Sequence, residues 1–334
     1  MKILITGGGG YIGSVLVNKI FKAASNADNN IGYKLNLGWE SHFLNNVEQV
    51  TVYDNLLYKQ TTLLDQCYRD NFRFVHGDVR DLKKLREEVN NHDVIIPLAA
   101  LVGAPLCARD PKATYAINKY QIDEILYAAK NNQKIIYPNT NSGYGIGVSG
   151  EFCTEESPLN PISDYGISKC QAESHILNSG GLTLRLATVF GLSPRMRLDL
   201  LVNDFVYKAV NDRYIVLFEK DFKRNYIHVQ DVALTFIYMI NKYDELKGQA
   251  YNVGLSSANL SKLELCEKIK EHIPEFVIKY DDFAKDPDKR DYIVSNAKIE
   301  ATGWKPYYNL DDGIKELIKG YNIVSNNNKL FTNL

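Results

Sequence analysis

Tyr165 and Lys169 stand four residues apart in Asp164-Tyr165-Gly166-Ile167-Ser168-Lys169. On a helix that spacing puts both side chains on one face. A lysine beside a tyrosine stabilises the phenolate and lowers its pKa, so the pair can take a proton from an alcohol. Spacing alone is weak evidence, because two solvated helix residues would look the same. The stretch KIIYPNTNSGYG at 134–145 strengthens it. There an apolar strand runs into Asn139, Thr140, Asn141, Ser142 and Gly143, small polar residues suited to the floor of a reaction site.

Alcohol oxidation also needs a hydride acceptor, and the chain start offers a place for one. Strand Lys2–Thr6 leads into Gly7-Gly8-Gly9-Gly10-Tyr11-Ile12-Gly13. Gly7 permits a tight turn, Gly10 the approach of backbone to a pyrophosphate, and Gly13 close helix–strand packing. The free N–H groups and positive end of the following helix favour phosphate. A glycine triad without ligand is the plain alternative, but this one sits between a strand and a helix. The next strand ends in Asp54-Asn55. A carboxylate there accepts from the ribose hydroxyls and repels a 2′-phosphate, which favours NAD over NADP. A third strand ends in Gly77-Asp78-Val79, with Asp78 placed either for the adenine amine or as a cap on a helix over 81–90. Beside an oxidised nicotinamide, a Tyr165 phenolate can remove a proton from a sugar alcohol while hydride leaves the carbon.

These residues need a frame. Strands are expected at Lys2–Thr6, Gln49–Tyr53, Arg73–His76, Asp93–Leu98, Ile135–Pro138 and Leu182–Ala187. Helices are expected at Tyr11–Ala24, Asp81–Asn90, Ala113–Asn131 and Asp164–Asn178. Strand–helix alternation predicts an α/β fold, a Rossmann-type doubly wound parallel sheet whose ligand edge lies at the strand ends. The second half, with helices over Asp199–Val210, Asp231–Asn241, Leu260–His272 and Asp311–Lys319, reads as a smaller C-terminal substrate-binding lobe. Ser261 and Glu264 form a capping-box signature. We expect the NAD-binding domain over 1–182, with a return segment near 224–255, and the lobe over 183–223 and 256–330. Asp54 stands 41 residues after Gly13, about twice the spacing of a compact βαβ unit. The surplus, about 25–46, is expected as an insertion at the opposite sheet edge, with Trp39, Phe43 and Leu44 packing locally or against a second subunit.

Composition sets the class. The 334 residues are 45% hydrophobic and 24% charged, with a formal net charge of −1. This is ordinary globular composition, with no basic excess for nucleic acid or an anionic membrane. No apolar run could span a bilayer, so a cytoplasmic protein is the default. The five cysteines lack C-x-x-C spacing; no metal site or disulfide framework is expected, and each reads as a small buried hydrophobe.

Together TGGGGYIG, Asp54, Asp78, Leu98-Ala99-Ala100, the polar loop before Tyr144-Gly145 and YGISK resemble the extended short-chain dehydrogenase/reductase family, the NAD-dependent nucleotide-sugar epimerases, dehydratases and dehydrogenases. LRLATVFG at 184–191, RNYIHVQDVA at 224–233, YNVG at 251–254 and the DPDKRDY…KIEATGWKP segment extend the resemblance over nearly the whole chain. It implies Tyr165 as general base, Lys169 as its electrostatic partner and a ribose ligand, and Thr140 as partner of the reacting hydroxyl. It implies cofactor contacts at Leu98, Ala99, Ala100, Asn118 and Pro138. Arg224 and Arg290 match arginines that hold the nucleotide diphosphate, a role suited to a planar, permanent charge; surface salt bridges are the alternative. A homodimer through the helices over 113–131 and 164–178 is expected on the same ground.

Family members that dehydrate the sugar carry Thr-Asp-Glu in the active-site loop, whereas this chain has Thr140-Asn141-Ser142, with no carboxyl. A 4-epimerase or 4-dehydrogenase needs only Tyr165, Lys169, Thr140, NAD and room for the keto sugar. Thr188 replaces an asparagine of UDP-galactose epimerases, and their lysine after the fourth strand is missing. Arg195 and Arg197, in the basic run SPRMRLDL, together with Ser142 and Thr188, are further substrate-contact candidates. The resemblance, rather than these residues, suggests a GDP- or UDP-linked hexose or heptose for surface polysaccharide. The alternatives are a 4-keto reductase or a non-catalytic NAD-sensing module.

Overall fold

Seven strands form the central sheet of the computed structural model, which describes residues 1–28, 44, 46–148, 150–281 and 290–324. Their order is Ala250–Val253, Leu182–Leu186, Lys134–Thr140, Val94–Pro97, Lys2–Thr6, Gln49–Asp54, Phe72–His76. Every neighbouring pair is parallel. Alternation along the strands sends Ile3, Ile5, Val94, Ile96 and Ile136 into one core, and Leu4, Ile95, Ile135 and Tyr137 into the other. Both faces are covered by helices, which is why these strands read as unbroken apolar runs. The helices Tyr11–Asp28 and Val229–Asn241 pack together over the first face. Leu82–Asn90, Gln121–Ala128 and Asp164–Asn178 cover the second, burying Leu85, Val89, Ile122, Ile125, Ala172 and Ile176. The expected doubly wound architecture is present.

Chain order reverses between Lys2–Thr6 and Val94–Pro97, which lie side by side. Connections leaving two such strands diverge and open a crevice at their carboxyl ends. Gly7 leaves the first strand and Leu98 the second.

Several elements differ from expectation. The helix expected over 113–131 is three pieces, Pro111–Tyr115, a π-helical turn Ala116–Tyr120 and Gln121–Ala128. Asp81 caps Leu82–Asn90 by accepting from Lys84 N, so Asp78 is released from that alternative. The Asp199–Val210 helix begins at Leu201. Asn259–Ser261 is a strand, and the helix after it, Lys262–His272, has the expected Ser261–Glu264 capping box. Sequence reading missed the strands Thr188–Phe190 and Lys223–His228, which join Asn259–Ser261 in a small sheet, and the pair Tyr214–Phe218 with Val277–Asp281. These are short segments whose pairing is set by distant partners rather than by their own pattern.

In the expected insertion, Leu44 is buried in the first core, whereas Trp39 and Phe43 lie outside the described residues. Cys107, Cys153 and Cys266 are buried as expected, but Cys67 is exposed. Among the described residues, no helix is long and apolar enough to cross a membrane.

Candidate active site

The glycine turn is shaped by contacts that leave no space for side chains. Gly7 has φ +70, and a Cβ there would stand 2.6 Å from Ala99 N. A Cβ on Gly13 would stand 2.6 Å from Gly8 Cα. Backbone therefore lies bare toward the crevice, next to the start of the Tyr11–Asp28 helix. This cradle fits a dinucleotide pyrophosphate. The turn is also fastened to the second half of the chain. Tyr11 Oη donates to Gly191 O at 2.7 Å, Ser193 Oγ donates to Tyr11 O at 2.7 Å, and the Ser14 and Ser193 hydroxyls are 3.1 Å apart.

Asp54 is buried at the end of the second strand. Its carboxylate accepts from Gly9 N at 2.9 Å, Leu56 N at 2.8 Å and Gln60 Nε2 at 3.3 Å. Burial raises its pKa, and the two backbone bonds oppose that. Asp78 is held by Arg80 through both oxygens at 2.8 Å and by Asn55 Nδ2 at 3.0 Å; the Arg80 bonds keep its pKa well below the usual carboxylate range.

The Asp164–Asn178 helix starts with Ser163 Oγ accepting from Gly166 N at 3.2 Å. This cap fixes the first turn, and with it Tyr165. The Lys134–Thr140 strand brings Thr140 into the same cavity as Tyr165, where its hydroxyl favours the Tyr165 phenolate. Thr140 Oγ1 also donates to Ser142 Oγ at 3.0 Å, which in turn accepts from Arg290. Lys169 is buried, its ammonium 3.9 Å from the Tyr137 ring centroid.

The expected lowering of the Tyr165 pKa by Lys169 is not seen. Burial pushes Tyr165 up to about 12, against the fields of Arg290 and Arg197 and the Thr140 bond. Burial pushes Lys169 down to about 7, against the charges of Cys170 and Glu173. Desolvation disfavours each charged form, and here it exceeds what the neighbours supply.

One cavity of about 540 Å³ joins these groups. Its cofactor-side lining includes Gly7, Gly10, Tyr11, Ile12, Gly13, Asp54, Asn55, Asp78, Val79, Leu98, Ala99, Ala100 and Pro138. Thr140, Ser142, Tyr165, Lys169, Thr188, Arg195, Arg197, Arg224 and Arg290 continue it. Asn118 does not line it. Buried in the π-helical turn, its amide donates to Leu101 O and accepts from Leu101 N, both at 2.9 Å, so it holds the loop after the fourth strand. Arg195, Arg197 and Arg224 are buried. Arg197 pairs with Asp199, and the Arg195 guanidinium lies 4.7 Å from the Tyr58 ring centroid.

Sequence reading missed Tyr58, Gln60, Lys262 and Tyr292, which also line the cavity. Tyr58 and Gln60 lie in the loop just after Asp54, a signal that was available. Tyr292 stands in the DPDKRDY segment quoted above, while Lys262 follows the Asn259–Ser261 strand of the small sheet and had no such signal.

Residues 3–254 match the NAD dependent epimerase/dehydratase family. The chain is 28% identical over 336 residues to the low-salt glycan biosynthesis protein Agl12 of Haloferax volcanii, covering 96% of this chain and 98% of that protein. It is 25% identical over 339 residues to the dTDP-D-glucose 4,6-dehydratase of Mus musculus, covering 96% and 88%. In structure it is similar to the UDP-glucose 4-epimerase of Thermus thermophilus in complex with NAD, with a TM-score of 0.77, 21% identity, and 96% and 99% of the two chains covered.

Proposed function

The chain belongs to the NAD-dependent epimerase/dehydratase family, and on that premise we propose that it is a nucleotide-sugar 4-epimerase that oxidises C4 of its sugar and reduces it again on the opposite face. The observation that carries this reading is the convergence of Thr140, Tyr165 and Lys169 on one cavity that is also lined by the glycine turn and by Arg195, Arg197, Arg224 and Arg290. Four arginines suit a diphosphate. Residues 1–182 with about 224–255 would hold NAD, and 183–223 with 256–330 the nucleotide sugar.

NAD, when bound, supplies the acceptor and donor of hydride at C4. Tyr165 Oη takes the proton of the 4-hydroxyl, and Thr140 Oγ1 orients that hydroxyl. Lys169, one turn further along the helix, favours the phenolate when protonated. After the keto sugar rotates, Tyr165 returns the proton to the new hydroxyl. Loss of water would require a carboxyl acid and base beside Thr140, and Asn141 and Ser142 provide neither.

The test is incubation of the purified protein with UDP-, GDP-, dTDP- and CDP-sugars in the presence of added NAD⁺, with sugar stereochemistry at C4 followed by NMR and NADH by its absorbance. Inversion at C4 is expected for one of them. Net accumulation of NADH with a keto product would instead identify a 4-dehydrogenase working with the same residues. If no sugar reacts at C4, the reading fails.

A further inference from the structure

The motifs LRLATVFG and YNVG contribute buried polar residues that the reaction above leaves without a role. Asn139, Arg185 and Asn252 lie directly opposite one another on three adjacent strands of the central sheet. All three are buried, as is Glu173 of the Asp164–Asn178 helix. Glu173 is one helical turn beyond Lys169 and two beyond Tyr165, so all three share a helix face.

Their hydrogen bonds are continuous. The Glu173 carboxylate accepts from Asn139 Nδ2 at 2.7 Å, Thr183 Oγ1 at 3.1 Å, and Arg185 Nε and Nη2 at 3.0 and 2.8 Å. Arg185 Nη1 donates to Tyr144 Oη at 3.0 Å, and Tyr144 Oη donates to Asn252 Oδ1 at 2.7 Å. Asn139 immediately precedes Thr140, and Tyr144 closes the Asn141–Tyr144 turn. Both ends of the active-site turn are thus tied to one ion pair, and the acid of that pair stands on the helix that carries Tyr165 and Lys169.

Stability alone is a poor account of this arrangement. A buried ion pair is often no more stabilising than apolar residues of the same size, whereas its hydrogen-bond geometry is restrictive. We propose that Glu173 and Arg185 are positioning residues for the proton transfer: the pair holds the turn bearing Thr140 in register with the helix bearing Tyr165. This rests on the reading above, in which Thr140 and Tyr165 handle the proton. Misplacing such a group by about 1 Å can cost about 100-fold in rate.

Tyr144→Phe is the cleanest probe. It deletes one hydroxyl, leaves the Glu173–Arg185 pair intact and alters no side chain of the cavity lining. In the NAD-bound protein, amide hydrogen exchange of the 139–145 segment should quicken by about tenfold or more, because the lost hydroxyl bonds both Arg185 and Asn252. Exchange in the Lys2–Thr6 strand should be unchanged. With a sugar that the wild type turns over, kcat should fall about 10- to 100-fold at constant KM. Glu173→Gln should move both readings the same way. Unchanged protection of the turn in Tyr144→Phe, or unchanged kcat despite lost protection, overturns the proposal. If the wild type turns over no nucleotide sugar, the functional reading fails, and the exchange experiment alone decides whether the clamp exists.

Discussion

The Lys169 ammonium lies 3.9 Å from the centroid of the Tyr137 ring, against an aromatic face rather than in water. Cation–π attraction offsets part of its desolvation, yet burial still holds the amine near 7 instead of 10.5. Between those two values the unfolded chain binds a proton that the folded protein does not. By linkage, this group's contribution to stability therefore rises as pH climbs from about 7 to 10.5, and its cost is full below about 7. Lys169→Met should stabilise the NAD-free protein at pH 6, on the order of 3 kcal/mol, with the advantage shrinking by pH 9. Thermal unfolding of both proteins at the two pH values measures this. A mutant less stable at pH 6 would contradict the assignment. The same variant should lose turnover, because the charge that favours the phenolate is gone.

Tyr165→Phe should reduce turnover by about 10²–10⁴, the range for a removed general acid–base. NADH affinity, read by fluorescence titration, should change little. In the NAD-free wild type the phenolate signal in a difference spectrum against Tyr165→Phe should emerge only as pH approaches about 12. A normal tyrosine titration near 10 would show that the site is wetter than its geometry implies.

Asp54 both faces the cavity and holds Gly9 and Leu56 by their backbone N–H groups. Asp54→Ala should therefore weaken NAD binding and lower stability together, the latter by about 1–3 kcal/mol for donors left without a partner. It should not create a good NADP site, since the loop that would receive the 2′-phosphate is loosened at the same time. Calorimetric titration with both cofactors, beside an unfolding curve, separates these effects. Tight NADP binding by this variant would show that Asp54 is only a charge filter.

Asn118→Ala should act at a distance. It removes two buried bonds to Leu101, at a cost of about 1–3 kcal/mol, without removing a cavity-lining side chain. NAD affinity should fall because the loop carrying Leu98 to Leu101 loses its anchor. Restoration of affinity by a substitution that rigidifies that loop would support the account, and wild-type affinity in Asn118→Ala itself would reject it.

The frame was readable because its signals are local. Apolar runs, the Gly7–Gly13 turn and the Tyr165–Lys169 spacing each lie within a dozen residues, and a parallel sheet buried on both faces makes its strands plain. That Asn118 faces Leu101 rather than the cavity could not be read, because a side chain's direction there depends on a π-helical turn that a uniform helical pattern does not disclose. The pKa expectation for Tyr165 failed for a related reason. Spacing shows which groups are neighbours, but desolvation depends on what the rest of the chain excludes. Lys262 was invisible because it reaches the cavity only through pairings such as Arg224 with Leu260.

Tyr11 carries a further consequence. The first residue of the phosphate-facing helix is fastened to Gly191 and Ser193, so the wall on one side of the cofactor and the wall on the other are a single piece. A dinucleotide cannot be swapped there by a small loop movement; three hydrogen bonds have to part first. The expected behaviour is that of a prosthetic group rather than a co-substrate. The protein should emerge from purification with NAD still aboard, and a molecule stalled with the reduced form should stay idle until its own product returns to reset it.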